Sequence, residues 1–205
     1  MLVALVTHAD ARAYDRERGD LPRDLTGLGW RHATWAGEQL KAALTKFGTA
    51  IKPTVLLSSP ALRCVQTGSE VAAVLGLRLN PSTMHGTVKG KDRNGGTVEP
   101  IHTEDTLDPD RNGGRPIQID ALRDVLRPWA DKGTEALLLS GHADLANAMN
   151  AVRPLRKECL TADKAWFVLG PAFAIFDFGR TVDVRAVAII DWSARTALVS
   201  SSPEP

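Results

Sequence analysis

Thr54-Val-Leu-Leu-Ser-Ser-Pro-Ala-Leu-Arg63 is a buried strand that runs straight into a helix start. Thr54–Leu57 shows no apolar–polar alternation. That pattern suits a strand covered on both faces, as in a parallel sheet between helices. Ser59-Pro60 then supplies a capping hydroxyl and a proline at the first helical position, which places Arg63 about one turn into the helix. Leu62, Val65, Ala72 and Leu75 give that helix an apolar stripe, and Gly76 ends it.

The same pattern recurs on both sides. Leu2–Val6 is an unbroken apolar run, read as a buried strand and not a signal peptide, because no basic segment precedes it. Thr26 can cap a helix from Leu28 carrying Ala33, Ala36, Leu40, Leu44 and Phe47, with Gly48 as its stop. Gln118–Ala130 carries Leu122, Val125, Leu126 and Trp129 at helical spacing, with Pro128 expected to kink or end it early. Ala136–Leu139 is a third buried strand, followed by a short helix with Leu145 and Met149. Ala172–Phe178, Val184–Ile190 and Thr196–Val199 read as further strands, and Ser200–Pro205 as a frayed end. Residues 80–116 hold six glycines and four prolines with little periodicity, so they read as an excursion and not a second domain. Residues 1–205 thus form one α/β domain with a mainly parallel central sheet and helices on both faces.

Composition narrows the function. The 205 residues carry 25 Lys+Arg against 24 Asp+Glu, a net charge of +1. No global field favours nucleic acid or an anionic membrane, so neither is expected as a partner, and any anion site must be local. No apolar run reaches the ~20 residues that span a bilayer. Cys64 and Cys159 form no CxxC pair, which fits a reducing, cytoplasmic setting.

In parallel sheets, ligands bind beyond the carboxyl ends of the strands. His8 follows the first strand, Ser58-Ser59 and Arg63 follow the second, and His142 follows the third. Two histidines and an arginine should converge there. A neutral imidazole is a nucleophile that can carry a phosphoryl group. An arginine offers a planar fork for phosphate oxygens, and the helix start at Ser59 adds free N–H groups. A second histidine can donate a proton to a phosphoryl or leaving oxygen.

These residues resemble the histidine phosphatase (phosphoglycerate mutase-like) superfamily. Leu5-Val-Thr-His-Ala-Asp10, Leu25-Thr-Gly-Leu-Gly29, Leu57-Ser-Ser-Pro-Ala-Leu-Arg-Cys-Val-Gln-Thr67 and Leu138-Leu-Ser-Gly-His142 are similar to its motifs, in the same order. Size and spacing are most similar to the SixA-type phosphohistidine phosphatases. The resemblance implies a phosphoglycerate mutase-like three-layer sandwich and a metal- and cofactor-free phosphatase. Its substrate would be a phosphorylated small molecule or a phosphoprotein, either a phosphomonoester or a phosphohistidine. His8 would carry the phosphohistidine intermediate, Arg63 would clamp phosphate, and His142 would be the second active-site histidine. Arg23 falls where a further phosphate-facing arginine is expected.

Two positions depart from the pattern. Thr7 stands where the family carries an arginine, leaving one hydroxyl in place of two charge-assisted donors. Arg12, Arg16 and Arg18 are nearby cations that could replace it, although they alternate with Asp15, Glu17 and Asp20 as a solvated, charge-balanced loop does. The position of the family's glutamate acid holds His85. Glu99, Glu104 and Asp144 are other candidate proton donors. His32 reads as a surface-helix residue and His102 as a loop residue.

Two other functions compete. The scaffold could be a catalytically degenerate phosphate- or protein-binding module that lost the arginine at position 7. Alternatively, the matching triplets His8-Ala-Asp10 and His142-Ala-Asp144 could hold a divalent metal, as in a His/Asp metallohydrolase. That last reading leaves the Ser-Ser-Pro-Arg segment unexplained.

Overall fold

A computed structural model describes residues 2–46, 52–80, 86–109, 111, 117–142, 145, 172–178, 184–191 and 196–199. In chain order the strands are β1 (Leu2–Thr7), β2 (Val55–Ser58), β3 (Gly86–Lys91), β4 (Thr97–Thr103), β5 (Ala136–Gly141), β6 (Ala172–Phe178), β7 (Val184–Asp191) and β8 (Thr196–Val199). The helices are α1 (Gly27–Lys46), α2 (Leu62–Leu75) and α3 (Ile119–Asp131).

The strands form one sheet in the order β3-β4-β2-β5-β1-β6-β7-β8. Its centre, β4-β2-β5-β1, is parallel, while β3 at one side and β6, β7 and β8 at the other run antiparallel to their neighbours. The two central strands β2 and β5 are buried at every residue, which is why their sequence shows no alternation.

The period of two along each strand divides the core between two faces. Ala4, Val6, Leu56, Ile101 and Leu138 pack against Ala36, Leu40 and Leu44 of α1 and Val65, Val71, Ala72 and Leu75 of α2. His102 follows Ile101 and therefore points to the opposite face. There its ring lies 5.0 Å from that of Trp129, so α3 covers that side. The α/β class with helices on both faces is as the sequence indicates.

Close approaches explain two glycines. A Cβ on Gly29 would lie 2.0 Å from the Asp10 carbonyl oxygen. Only glycine lets α1 begin against the loop that leaves β1. Thr26 caps this start, accepting from Gly29 N–H at 3.0 Å. A Cβ on Gly68 would meet Leu56 and Ser140 at 3.0 Å, so glycine there sets α2 close on the sheet.

Several local readings change. The helix after β2 begins at Leu62, with Ala61 at the N-cap and no side-chain cap bond. Ser59 and Pro60 precede it, and Arg63 is the second helical residue. The Ser59 hydroxyl accepts from Ala61 N–H at 3.3 Å and also faces His142 Nε2 at 3.0 Å. Pro128 lies inside α3 and does not end it. It sits in the last turn, where the helix runs on by only a few residues.

Residues 80–116 contain a β3–β4 hairpin that extends the sheet beyond β2. Its turn is anchored to α2, where the buried carboxylate of Glu70 accepts from Arg93 N–H at 2.9 Å. His102 lies in β4 and is fully buried, and His32 is buried on α1. The sequence instead suggests a surface-helix residue at His32 and a loop residue at His102, and the sheet and its helices bury both. Phe47, Gly48, Met149 and Ser200–Pro205 lie outside the described residues.

Candidate active site

Parallel pairing puts Thr7 of β1 beside Gly141 of β5, and Ser58 of β2 beside Ser140. The next residues, His8, His142 and Ser59, therefore leave the sheet side by side. Two backbone bonds fix the exits: His8 N–H to Gly141 O at 2.8 Å and Ser59 N–H to Ser140 O at 2.9 Å. The two imidazoles stand edge to face, with centroids 5.3 Å apart and planes inclined by 74°.

Hydrogen bonds assign both tautomers. His8 Nδ1 lies 2.9 Å from the carbonyl oxygen of Ala9, which can only accept. The proton is therefore on Nδ1, and Nε2 carries the lone pair. His142 Nδ1 faces Arg63 Nη2 at 3.4 Å, and a guanidinium can only donate. His142 thus carries its proton on Nε2, 3.0 Å from the Ser59 hydroxyl. Burial pushes His8 down to about 4; the Ala9 carbonyl opposes this, and the positive charges of Arg63 and Arg23 add to it. Burial likewise pushes His142 down to about 3, with His8 and Arg63 adding to the effect. Both rings are neutral at pH 7.

Arg63 is buried with 4% exposure. Its Nη1 donates to the Asp20 carbonyl oxygen at 2.8 Å, and its Nη2 to Asp20 Oδ2. Arg23 Nη1 donates to the other carboxylate oxygen, Oδ1, at 2.7 Å. One carboxylate therefore bridges two guanidinium groups. Desolvation raises the Asp20 carboxyl, but the hydrogen bond from Arg23 and the charge of Arg63 outweigh it and hold it below its ordinary value. Arg63 Nε has no acceptor among the described residues. A cavity of about 580 Å³ opens over these groups, lined by Tyr14, Asp20, Arg23, Arg63, Asp108 and Pro109.

The long motif on α2 braces the site from beneath. Thr67 Oγ1 accepts from Ala9 N–H at 3.0 Å and donates to Arg63 O at 2.7 Å. Gln66 Oε1 accepts from Leu25 N–H at 2.7 Å. Cys64 is buried with its sulfur 3.5 Å from His142 Nε2, as a small neighbour of the ring.

Of the residues singled out from the sequence, His8, Arg63, His142 and Ser59 are brought together, and Arg23 joins them through Asp20. Thr7 ends β1 next to His8 and is buried. The Arg12 guanidinium is on the surface, paired with Asp24 at 3.0 Å; only its carbonyl reaches the site, accepting from Arg23 Nε at 2.7 Å. Arg18 is exposed near Asp15, and Arg16 is exposed. Glu99 pairs with Lys89 at 2.9 Å, and Glu104 caps the following turn. His85 and Asp144 lie outside the described residues. Asp10 is exposed and accepts from Thr26 Oγ1 at 2.5 Å. Among the described residues, no three His, Cys, Asp or Glu side chains form a metal-binding group.

From the sequence, Asp20 reads as one charge of a solvated loop, and neither Gln66, Thr67 nor Tyr14 reads as a site residue. Gln66 and Thr67 end the segment that begins at Leu57, and Asp20 precedes Arg23 by three residues. That spacing was the available signal.

The chain resembles in structure a protein assigned as phosphohistidine phosphatase SixA from Agrobacterium tumefaciens. The TM-score is 0.58 at 16% identity, over 92% of this chain and 96% of that one. The fold is that of the SixA-type histidine phosphatases. The protein histidine phosphatase SixA solved with tungstate gives 0.57 at 17% identity, over 93% and 97% of the two chains. A protein assigned as phosphohistidine phosphatase SixA from Nakamurella multipartitia gives 0.52 at 15% identity, over 93% and 96%. No family model matches the sequence, and no curated protein matches it. Among the described residues, no helix is long and apolar enough to cross a membrane.

Proposed function

We propose that this protein is a phosphatase that transfers a phosphoryl group to His8 and hydrolyses the resulting phosphohistidine. The observation that carries this reading is His8 itself. It is a neutral imidazole whose Nδ1 proton is held by the Ala9 carbonyl, leaving Nε2 as the nucleophile beside a buried arginine.

In the forward step, Nε2 of His8 attacks phosphorus as the bond to the leaving oxygen, or to the leaving nitrogen of a phosphohistidine, breaks, and the leaving atom takes up a proton from solvent. Arg63 and Arg23 hold the phosphoryl oxygens. A phosphoryl dianion would raise the proton affinity of His142, whose ring already contacts Arg63. Water then attacks phosphorus, restoring neutral His8 and releasing phosphate. Ser59 holds His142 in orientation, and Thr67 fixes the backbone that follows His8. The phosphorylated group enters through the cavity edged by Tyr14 and Pro109. Phosphomonoesters and phosphohistidine are both substrates of this chemistry.

A second reading rests on Thr7. It leaves the strand end without the guanidinium that the resembled family carries, as in a scaffold retained for phosphate or protein binding. A single-turnover reaction with labelled phosphosubstrates separates the two. Acid-labile phosphoenzyme should form in the wild type and not in His8→Ala. Phosphate binding without phosphoenzyme, across phosphohistidine and monoester substrates, would leave only the binding module.

A further inference from the structure

The two guanidinium groups that would hold a phosphoryl group already hold an anion. Asp20 Oδ2 takes Arg63, Oδ1 takes Arg23, and the Asp20 carbonyl takes the remaining Arg63 terminal nitrogen. Two oxygens on one carbon thus stand where two oxygens on one phosphorus would stand. With His8 and His142 neutral, one negative carboxylate also cancels one of the two arginine charges.

Asp20 is delivered by a compact turn. Gly19 has φ 76°, in the left-handed region that favours glycine, and its N–H bonds Asp15 O at 2.8 Å. The chain after it is pinned, since Leu62 N–H bonds Leu21 O at 2.8 Å. The Asp15–Gly19 side of the residue is bordered by exposed positions, whereas the Leu21 side is fixed to α2.

We propose that Asp20 is a tethered competitor for the oxyanion position, so that this protein admits a phosphoryl group only when the Asp20 carboxylate withdraws. The proposal rests on the reading of Arg63 and Arg23 as the phosphoryl clamp. A tethered carboxylate acts at an effective concentration in the millimolar range or above, and a free ligand must compete against it. Orthophosphate and small monoesters are thereby disfavoured. Phosphorylated molecules whose remaining part contacts Tyr14 and Pro109 gain the binding needed to displace it. Asp20 is then a specificity-determining residue, selecting larger substrates over inorganic phosphate.

Calorimetric titration with inorganic phosphate tests this on the wild type, Asp20→Asn, Arg63→Gln and the double variant. Asp20→Asn should bind phosphate at least tenfold more tightly than the wild type, and the gain should vanish in the double variant. Suppose Asp20→Asn melts like the wild type and binds no more tightly, while wild-type binding depends on Arg63. Asp20 is then a positioning residue for the arginines; the proposal fails and the clamp stands. If no protein binds phosphate, the clamp reading fails as well. A wild-type measurement covers the case in which Asp20→Asn does not fold. Saturating phosphate should shift the backbone amide resonances of Gly19 and Asp20 as the turn moves. Binding that leaves them unchanged overturns the proposal.

Discussion

His8 and His142 meet edge to face, 5.3 Å between ring centroids, because the residues before them are partners in a parallel ladder, Thr7 beside Gly141. Among the described residues, no hydrogen bond links the two rings, which meet by ring contact alone. Their spacing is set by backbone pairing, and their orientation by Ala9 on one side and Ser59 on the other.

Replacing His8 should remove chemistry and leave the fold. His8→Asn is expected to lower kcat on the order of a thousandfold or more, as loss of a nucleophile does. Its thermal midpoint should stay near that of the wild type. Residual turnover within tenfold of wild type would assign the nucleophile elsewhere.

Arg63→Lys keeps the charge but loses the planar fork. Substrate KM or phosphate Kd should rise at least tenfold, about 1.4 kcal/mol. Steady-state kinetics on any accepted substrate gives this directly, and an unchanged KM and kcat would take Arg63 out of the clamp.

The histidines give a pH signature. In the unfolded chain both titrate near 6.5; folded, His8 titrates at about 4 and His142 at about 3. The unfolded state therefore binds protons first as pH falls, so both groups destabilise the fold on acidification. Their stabilising contribution is complete above pH 6.5 and is lost between there and about pH 4 for His8, and about pH 3 for His142. The denaturant midpoint should decline across that window. Proton NMR of the two rings should show no titration between pH 6 and 8, and a midpoint near 6.5 for either would contradict the burial seen.

Gly29→Ala places a methyl group 2.0 Å from the Asp10 carbonyl. The contact is with backbone and cannot be relieved by a rotamer change. A loss of roughly 1–3 kcal/mol is expected, as for overpacking in general. Because the displaced segment follows His8, turnover should fall together with the melting temperature. A variant as stable and active as wild type would show that the loop yields freely.

Thr7→Arg tests the strand end beside His8. A guanidinium introduced beside His8 should raise turnover on the order of tenfold, about 1.4 kcal/mol of transition-state stabilisation. Because Thr7 is buried, the variant must first be shown to be folded. A folded variant with flat activity would mean that Arg23 and Arg63 already supply the contacts an arginine at position 7 could add.

The central strands and the convergence of His8, Arg63 and His142 were legible because burial on both faces leaves uninterrupted apolar runs, and parallel strands share one exit end. The β3–β4 hairpin was not. Its strands contain Gly86, Gly90 and Pro100 and expose much of their length, so neither propensity nor alternation marks them. Asp20 was hidden for a different reason. Among Asp15, Glu17 and Arg18 it reads as one more solvated charge, and only the approach of α2, distant in sequence, gives it Arg63 as a partner. His102 was misplaced because its buried surroundings come from Trp129, on the far side of the sheet.

The Thr7–Gly141 pairing joins strands separated by more than half of the chain. A contact of such long sequence separation closes a large loop and forms slowly. Neither histidine can meet its partner until β5 has docked beside β1, so catalytic competence should arise late in folding, after helical signal has recovered. A one-residue slip in that ladder would also exchange the side chains packed under α1 and α2 for those of the opposite face. The same apolar register that excludes such a slip guarantees the geometry of the site, making active-site assembly a by-product of core selection. Refolding followed by circular dichroism and by return of phosphate binding should resolve the two events in time.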